Sequence, residues 1–328
     1  MATDVGPNRA GANAERSGGT RVVSAIAVGL LRVVAATLVL AVALSFLSPV
    51  LAVADALANF RHMMMGLAVL LALSAALMKL RMLSAVLAAA ALSSALSMPE
   101  LLPPRLSPNA GDQRLRLLQF NVNLMNSQAD AFAALVASAQ PDVVTLQEIS
   151  PANRHFLRAV AEDFPHQRVC PFTTQHAVAI LSRHPPVAPP ACHPGLGLVA
   201  LRIALEGRPL TVASLHLRWP WPYGQAEQVA SLEPVLSALP QPLVFAGDFN
   251  AAPWTRAVRR LADASDTRVI SGLRTTIWVG FYNRQVQVPL PIDHVLVPRG
   301  AQTSRIEVGG ASFSDHLPVL AEITLPHR

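Results

Sequence analysis

Polar side chains stand at the ends of several apolar, strand-like segments of this 328-residue chain. The interior of a strand packs against its neighbours, whereas its end can present a side chain to a cleft. Taken singly, an Asp or Asn in such a place is usually a turn former, and a lone His is usually structural. Here they form a set with four acidic residues, and we expect the set to converge on one site. Its members are Asn121, Asn123, Glu148, His216, Asp248, Asn250, Asp293, Asp315 and His316.

The residue types in this set point to metal-assisted phosphoryl chemistry. Carboxylate and amide oxygens are hard ligands, and the set holds no Cys and no His-x-x-x-His pair. The expected ion is therefore Mg²⁺ or Mn²⁺ rather than Zn²⁺. Such an ion neutralises phosphate charge, an Asp can deprotonate water, and a protonated His can stabilise the transition state. The chain has no Gly-rich phosphate loop and no Gly-x-Ser-x-Gly motif.

The elements that must position these residues are short strands separated by only a few helices. This pattern favours an α/β sandwich of two sheets over a βαβ repeat. We predict strands at Leu115–Val122, Val143–Gln147, Ala177–Ser182, Leu198–Leu205, Leu210–His216, Leu243–Ala246, Ile292–Val297 and Val319–Thr324. We predict helices at Ala129–Ser138, Asn153–Glu162 and Gln225–Leu239.

The motifs follow one another in an order that resembles the endonuclease/exonuclease/phosphatase superfamily. They are Asn-x-Asn, Leu-Gln-Glu, Ser-Leu-His, Gly-Asp-Phe-Asn, Ile-Asp-His and Ser-Asp-His, and the resemblance covers roughly Leu115–Leu325. It implies a four-layer α/β sandwich, in which two mixed β-sheets are flanked by helices. It also implies hydrolysis of phosphoric ester or anhydride bonds with Mg²⁺ or Mn²⁺.

The resemblance assigns a role to each motif residue. Glu148 and Asn121 resemble the pair that holds the metal, and Asp315 resembles a metal or water ligand. Asp248 resembles the residue that orients or deprotonates the attacking water, and Asn250 resembles its phosphate-contacting partner. His316, paired with Asp293, resembles the imidazolium on the scissile phosphate. His216 resembles a histidine that assists the leaving group. Asn123 stands where related proteins often have Asp, and the other histidines, including His176, have no partner pattern.

The composition places a membrane segment before this domain. The chain is 52% hydrophobic but only 14% charged, against about 25% charged in a typical soluble domain. Three uncharged runs, Val33–Val53, Met63–Met78 and Met82–Met98, predict three transmembrane helices. The alternatives are a cleaved signal peptide at the first run and a single long helix over residues 63–98.

Positive charge near the first and third apolar runs sets the predicted topology. Arg9, Arg16 and Arg21 precede the first run, and Lys79 and Arg81 separate the other two. This places the N-terminus in the cytoplasm and, with three spans, the catalytic domain outside the cell. We expect a disordered cytoplasmic start at 1–21, a membrane domain at 22–98, a linker at 99–114 and the catalytic domain at 115–328.

Transmembrane helices joined to such a domain resemble a bacterial membrane-anchored branch that includes the vancomycin/teicoplanin-resistance membrane proteins. That branch implies a phosphatase of lipid-linked polyprenyl phosphates at the outer membrane face, with membrane lipid and a phosphorylated lipid as partners. The aromatic residues Trp219, Trp221 and Tyr223 either grip such a lipid or simply pack a loop.

Two other functions remain open from the sequence. A nuclease or phosphodiesterase of the same fold would use the cluster Arg256, Arg259 and Arg260 to follow a phosphate backbone, although this pattern is more typical of a solvated helix face. The small excess of positive charge in the domain disfavours nucleic acid as a partner. A non-enzymatic membrane sensor or resistance protein would bind no metal. An extracytoplasmic location would permit, but does not require, a disulfide between Cys170 and Cys192.

Overall fold

Two units divide the chain in the computed structural model, which describes residues 9–107, 113–281, 284–310 and 313–325. One unit comprises Met1–Leu44 and Arg61–Leu96, and the other comprises Ser45–Phe60 and Ser97–Arg328. The segment Ser45–Phe60 lies within the expected membrane domain in sequence, yet it belongs structurally to the second unit. The predicted boundary at residue 98 therefore leaves out Ser45–Phe60, a segment that belongs to the same unit as the predicted catalytic domain.

The first unit is helical. The helices of the N-terminal region are α1 (Arg9–Ser45), α2 (Ala52–Ala58), α3 (Arg61–Leu77) and α4 (Arg81–Leu96), of which α2 lies in the second unit. The buried side chains of the first unit are mostly small, with Ala35, Ala68, Ala72, Ala90 and Ala91 among them. Small residues allow helix backbones to approach closely, which is common where apolar helices pack in lipid.

The helices of this region bear on the prediction of three transmembrane spans. Among the described residues, Ala25–Ser45 is the one helix long and apolar enough to cross a membrane by itself. Helices α2 and α3 would add a second span only if this pair, bent by 61°, were a single one, and α4 has 16 residues. Three spans are thus not established. The first apolar run stops being helical at Ser45 because a turn containing Pro49 separates it from α2.

The predicted disordered start also differs from the structure. Helix α1 begins at Arg9, so the part of residues 1–21 from Arg9 onward is helical, while residues 1–8 lie outside the described ranges. The stretch from Ala10 to Arg16 contains three Ala, a Glu and an Arg, which are good helix formers.

Strands of the second unit form two six-stranded mixed sheets within the described ranges. The first has the order β13-β14-β1-β2-β4-β3 and the second the order β5-β6-β7-β8-β12-β9. The first sheet contains β1 (Arg114–Asn121), β2 (Val143–Ile149), β3 (His166–Pro171), β4 (Ala177–Ser182), β13 (Gln302–Val308) and β14 (Val319–Thr324). The second contains β5 (Ala191–His193), β6 (Leu198–Leu205), β7 (Arg208–His216), β8 (Leu243–Asp248), β9 (Thr267–Val269) and β12 (Asp293–Pro298). A separate hairpin pairs β10 (Ile277–Phe281) with β11 (Arg284–Val288).

Helices cover the outer face of each sheet. The outer helices are α5 (Ala129–Ala139), α6 (His155–Ala159), α7 (Gln225–Ala238) and α8 (Arg256–Ala264). Phe132 of α5 and Phe156 of α6 pack with Phe120 on the first sheet, whereas Leu232 and Leu261 pack with Phe245 on the second. A further apolar core lies between the sheets. The predicted four-layer sandwich is confirmed, although α6 is shorter than Asn153–Glu162 and several edge strands were not predicted.

The residues expected to form a linker lie against the domain instead. A 3-10 turn at Pro99–Leu101 is followed by a β-bridge between Leu106 and Thr303. The Glu100 carbonyl accepts a hydrogen bond from the Gly272 amide at 2.8 Å, and its carboxylate pairs with Arg259. Residues 99–107 of the predicted linker are therefore held against the domain, and residues 108–112 lie outside the described ranges.

A disulfide joins Cys170 to Cys192. Cys170 lies on β3 and Cys192 on β5, which are edge strands of different sheets. The bridge therefore ties the two sheets together at one side of the sandwich. The alternative that the sequence left open is resolved in favour of the disulfide.

Candidate active site

The candidate site lies where the apolar core between the sheets gives way to polar side chains. Alternate residues of a strand share a face, so Leu115, Leu117, Gln119 and Asn121 of β1 all point between the sheets. Strands β1 and β2 are parallel, as are β7 and β8, so their carboxyl ends meet at one edge. Strand β12 runs antiparallel to β8 and begins at that edge, with Asp293 opposite Asp248.

The structure brings Asp248, Asp293 and His316 into direct contact. His316 Nδ1 lies 2.9 Å from Asp293 Oδ2, and its Nε2 lies 3.7 Å from Asp248 Oδ2. All three side chains are buried, and their ligand atoms lie within 4.8 Å of one another. Gln119 and Thr276 also donate hydrogen bonds to Asp293, at 3.1 and 2.5 Å. The Asp293 carboxylate is therefore fixed in an orientation that holds the His316 ring.

Charge pairing overrides burial at two of the three residues of this cluster, His316 and Asp248. Burial by itself would lower the pKa of His316, but the carboxylates of Asp293 and Asp248 outweigh it and raise the pKa to about 10. Burial by itself would raise the pKa of Asp248, but His316 and His216 outweigh it and lower the pKa to about 2. Burial raises the pKa of Asp293. Asp293 and His316 share one proton. We place it on His316, because two carboxylates, those of Asp293 and Asp248, face that ring.

His216 and Asn250 complete the second-sheet side of the site. His216 Nε2 lies 3.3 Å from Asp248 Oδ2 and 3.4 Å from Asn250 Nδ2. The Asn250 amide donates to Asp248 Oδ1 at 2.8 Å, and its side-chain Nδ2 donates to the Leu217 carbonyl at 2.8 Å. The buried Asn250 Oδ1 has no hydrogen-bond partner among the described residues. An unused buried acceptor at this point is available to a ligand donor.

Glu148 reaches the site through a break in its strand. Val143, Thr145 and Gln147 point between the sheets, so regular alternation would turn Glu148 toward the outer helices. Instead Glu148 has a left-handed backbone with φ of +62°, and the pairing of β2 with β4 shifts register between Leu146 and Ile149. A β-bulge of this kind redirects a side chain.

The redirected Glu148 carboxylate meets the end of β1. Asn121 Nδ2 donates to Glu148 Oε1 at 3.1 Å and to Asp248 Oδ2 at 3.0 Å, so one amide bridges the two carboxylates. The Leu124 amide donates to Glu148 Oε2 at 2.8 Å. Asp315 is exposed and accepts from Asn123 Nδ2 at 2.9 Å, which places it at the rim.

The Glu148 carboxylate fits a hard divalent cation, because its oxygens are donors of the kind that Mg²⁺ and Mn²⁺ prefer. Asn121 turns its Nδ2 toward Glu148, and its Oδ1 accepts from the Asn123 amide at 3.0 Å, so Asn121 would become a ligand only with its amide group turned over. The group Asp248, Asp293 and His316 fits a metal less well, because a protonated imidazole has no lone pair to offer. Glu148, with Asn121 beside it, is therefore the part of the site that would hold the metal.

Several supporting residues lie beyond the sequence prediction. Gln119 and Gln147 hydrogen-bond to each other across β1 and β2, and Gln147 also donates to Ser214 at 3.1 Å. The signal that was available is a Gln inside each of two apolar strands. The His176 ring lies 5.3 Å from that of His216, and burial and His216 lower its pKa. Its sequence surroundings carry no comparable signal.

The aromatic and basic clusters have different fates. Trp219, Trp221 and Tyr223 are 45%, 58% and 67% exposed. Much of each ring therefore faces solvent, and the three do not serve only to pack a loop. Trp254 is buried and donates to the Ala58 carbonyl at 2.7 Å, so its role is packing. The three arginines of the basic cluster are engaged within the protein: Arg256 with the Ser48 and Pro49 carbonyls, Arg259 with Glu100, and Arg260 with Glu233.

At one edge of the α/β sandwich, Asp248 and Asp293 lie beside His216 and His316, with Glu148 next to them. This arrangement is typical of a class of phosphoester hydrolase. The chain belongs to the endonuclease/exonuclease/phosphatase family, whose sequence pattern matches residues 118–316, more than half of the chain. Its members hydrolyse phosphoesters, so this chain is a hydrolase at that coarse level.

Comparisons with individual proteins agree with this membership. A UPF0294 protein of Vibrio vulnificus strain CMCP6 is 30% identical over 135 residues, which cover 40% of this chain and 46% of that protein. A second strain, YJ016, has an equally similar protein. The chain thus spans about half the length of the curated relatives it matches.

Solved structures share the fold. An endonuclease/exonuclease/phosphatase from Beutenbergia cavernae is 18% identical, with a TM-score of 0.53 over 65% of this chain and 72% of that one. TDP2 from Caenorhabditis elegans is 16% identical, with a TM-score of 0.51 over 65% and 98% of the two chains. At these identities the likeness concerns the fold alone.

Proposed function

We propose that this chain is a membrane-tethered, divalent-metal-dependent hydrolase that acts on lipid-linked polyprenyl phosphates at the outer face of the membrane. The observation that carries the hydrolytic part is the Asp248 carboxylate, whose Oδ2 lies 3.3 Å from His216 Nε2 and 3.7 Å from His316 Nε2. An anion between two imidazoles can orient a water molecule while both rings face the group under attack.

Each residue then has a role in hydrolysis. A Mg²⁺ or Mn²⁺ ion held by Glu148 with Asn121, and with Asp315 nearby, would act as a Lewis acid that neutralises phosphate charge. Asp248 orients the attacking water; its low pKa makes it a stable anion and a weak base. The His316 imidazolium, held by Asp293, donates to a phosphate oxygen. The new bond joins the water oxygen to phosphorus as the bond to the leaving oxygen breaks. His216 donates a proton to the leaving oxygen, and the proton that the water loses passes through Asp248 to His216 and replaces it.

Three observations support a lipid-linked phosphate over a nucleic acid. Helix Ala25–Ser45 is apolar enough to anchor the chain, and an exposed Trp219-to-Tyr223 aromatic cluster suits a lipid interface. Arg259 and Arg260, which a nuclease would use, are instead paired with Glu100 and Glu233. These features also fit the membrane-anchored branch that the sequence resembles.

The disulfide supports an extracytoplasmic catalytic domain. Such bonds form and persist in oxidising compartments and are rare in the cytosol. With the N-terminus inside, as positive charge predicts, an odd number of spans would carry the domain to the outer face. A multi-pass arrangement is therefore part of the proposal.

A substrate panel tests the proposed function. The full chain in detergent with Mg²⁺ is given undecaprenyl pyrophosphate, undecaprenyl phosphate, bis-(p-nitrophenyl) phosphate and single-stranded DNA, and product release is measured. We expect the prenyl substrates to show a kcat/KM at least ten times that of the others. Faster cleavage of DNA than of the prenyl substrates would overturn the assignment of a lipid-linked substrate. If no substrate is turned over in a metal-dependent way, the proposed metal-dependent hydrolase activity is overturned.

A further inference from the structure

A small apolar pocket adjoins the catalytic cluster within the second unit. Its volume is about 180 Å³. The loop after β7 and the segment that contains α2 provide most of its wall. The principal lining residues are Ala56, Phe60, Trp219, Trp221, Tyr223 and Ile292.

Asn250 belongs to both this pocket and the catalytic cluster. It lines the pocket, and its backbone amide donates to Asp248 Oδ1 at 2.8 Å. The side chain is 4% exposed, and its Oδ1 has no hydrogen-bond partner among the described residues. A molecule with a polar group at Asp248 and an apolar group beside it would therefore use both regions at once.

The volume limits what the pocket can hold. Pockets for drug-sized ligands measure about 300–1,000 Å³, whereas an apolar cavity of about 150 Å³ holds a molecule the size of benzene. At 180 Å³ the pocket suits a group of about five or six carbons. A longer chain would continue along the exposed faces of Trp221 and Tyr223.

The wall formed by α2 is fixed to the catalytic unit by directional bonds. The Ala252 amide donates to Asn59 Oδ1 at 2.6 Å, and Trp254 Nε1 donates to the Ala58 carbonyl at 2.7 Å. Asp55 accepts the Arg256 and Ala257 amides at 2.8 and 3.0 Å, at the N-terminus of α8. This wall lies outside residues 118–316, so the family domain alone does not contain it.

We propose that the pocket binds the isoprene unit next to the phosphate of a prenyl phosphate substrate, with α2 as a specificity-determining wall. This inference rests on the proposed function, which it deepens by assigning the binding of the apolar group. It follows from the size of the pocket, its aromatic lining and the position of Asn250, which lines the pocket and bonds to Asp248. A phosphate without an apolar group would not engage the pocket.

A pair of matched substitutions on α2 tests this. Ala56→Leu fills the pocket, whereas Val53→Leu places the same side chain at an exposed position on the same helix that lies outside this pocket. Steady-state kinetics of the full chain are measured with geranyl diphosphate and with inorganic pyrophosphate. We expect Ala56→Leu to raise the KM for geranyl diphosphate at least tenfold and to change pyrophosphate hydrolysis less than twofold. Val53→Leu should change neither.

A second variant and a binding measurement separate the possible failures. Tyr223→Ala removes an exposed part of the wall without filling it and should also raise the KM for geranyl diphosphate. Tryptophan fluorescence reports geranyl diphosphate binding without turnover. Binding that Ala56→Leu weakens, in a protein that hydrolyses nothing, supports the pocket and overturns the proposed function. Hydrolysis of geranyl diphosphate that neither substitution alters overturns the pocket and leaves the function standing.

Discussion

Single residues of the site adopt backbone conformations that the surrounding structure must stabilise. Glu148, Asn123 and Asn250 all have positive φ values, and all three contact the polar cluster through their side chains. Asn tolerates the left-handed region comparatively well, whereas Glu does so less readily. Such a conformation costs about 1–3 kcal/mol and persists where function requires the side-chain direction that it produces. Here that direction brings Glu148 to Asn121.

The metal-binding role of Glu148 gives the first prediction. Glu148→Gln removes the charge of a hard oxygen ligand while keeping the size of the side chain, so the affinity for Mn²⁺ should fall at least tenfold. Isothermal titration calorimetry of the full chain measures it. Glu162→Gln, at an exposed position after α6, is the control and should leave the affinity unchanged. Equal Mn²⁺ binding by the wild type and Glu148→Gln would contradict this assignment, and no binding by either would favour a non-enzymatic role.

The buried His294 predicts a pH dependence of stability. Burial lowers its pKa to about 4, although its Nε2 lies 2.8 Å from the Ala251 carbonyl, where a neutral ring donates. The unfolded chain binds this proton more tightly, with a pKa of about 6.5. Stability is therefore full above about pH 6.5 and declines as the pH falls toward 4, by roughly 3 kcal/mol in total.

Thermal unfolding of the full chain between pH 7 and pH 4.5 measures this contribution. His294→Gln cannot take up the proton, so its Tm should fall less over this range than that of the wild type. His193→Gln, at a half-buried position on β5, serves as the control and should keep the wild-type dependence. An identical pH dependence in His294→Gln and the wild type would refute this prediction.

The strands and helices were largely predictable because their apolar patterns are local. Strands Ala177–Ser182, Leu198–Leu205 and Val319–Thr324 were predicted to the residue. The clustering of the motif residues followed from strand ends that meet at one edge. The position of α2 could not be predicted in this way, because it depends on contacts between distant parts of the chain. One is the hydrogen bond from Trp254 to Ala58, almost 200 residues away. The role of Gln119 depends likewise on its neighbours across the sheets.

Gly247 is required by the close approach of β7 and β8. A Cβ added there would lie 1.9 Å from the Leu215 carbonyl oxygen and 2.7 Å from its carbon, so the backbone would have to move. Gly247→Ala should therefore destabilise the fold by about 1–3 kcal/mol or more. For a unit of this size that lowers the Tm by roughly 2–4 °C per kcal/mol.

Gly310→Ala is the matched control for Gly247→Ala. A Cβ at Gly310 meets no atom within 4 Å, so the substitution should leave the Tm close to that of the wild type. Thermal unfolding of the full chain with each substitution provides the comparison. Equal Tm values for the two variants would contradict the steric argument.

The whole molecule imposes a rule on membrane topology. Residues Ser45–Phe60 and the catalytic domain form one compact unit, so they must lie on the same side of any membrane that α1 crosses. Leu51 and Leu273 are exposed positions in these two parts, and the native cysteines are joined in a disulfide. We expect Leu51→Cys and Leu273→Cys both to react with a membrane-impermeant maleimide added to intact cells.

Inverted vesicles provide the complementary preparation for this labelling. Reaction of the two cysteines from opposite sides would contradict the unity of the segment and the domain. Reaction of both only in inverted vesicles would contradict the outer-face location.

Hydrolysis of lipid-linked phosphates by the cluster around Asp248 is tested by one comparison of three proteins. Phosphate release from undecaprenyl pyrophosphate is measured for the full chain with Mg²⁺, for Asp248→Asn, and for Asp263→Asn as an exposed acidic control on α8. We predict that Asp248→Asn loses a factor of about 10²–10⁴ in kcat, the scale of a positioned acid–base residue, while Asp263→Asn stays within twofold of the wild type. Undiminished activity in Asp248→Asn would contradict the account.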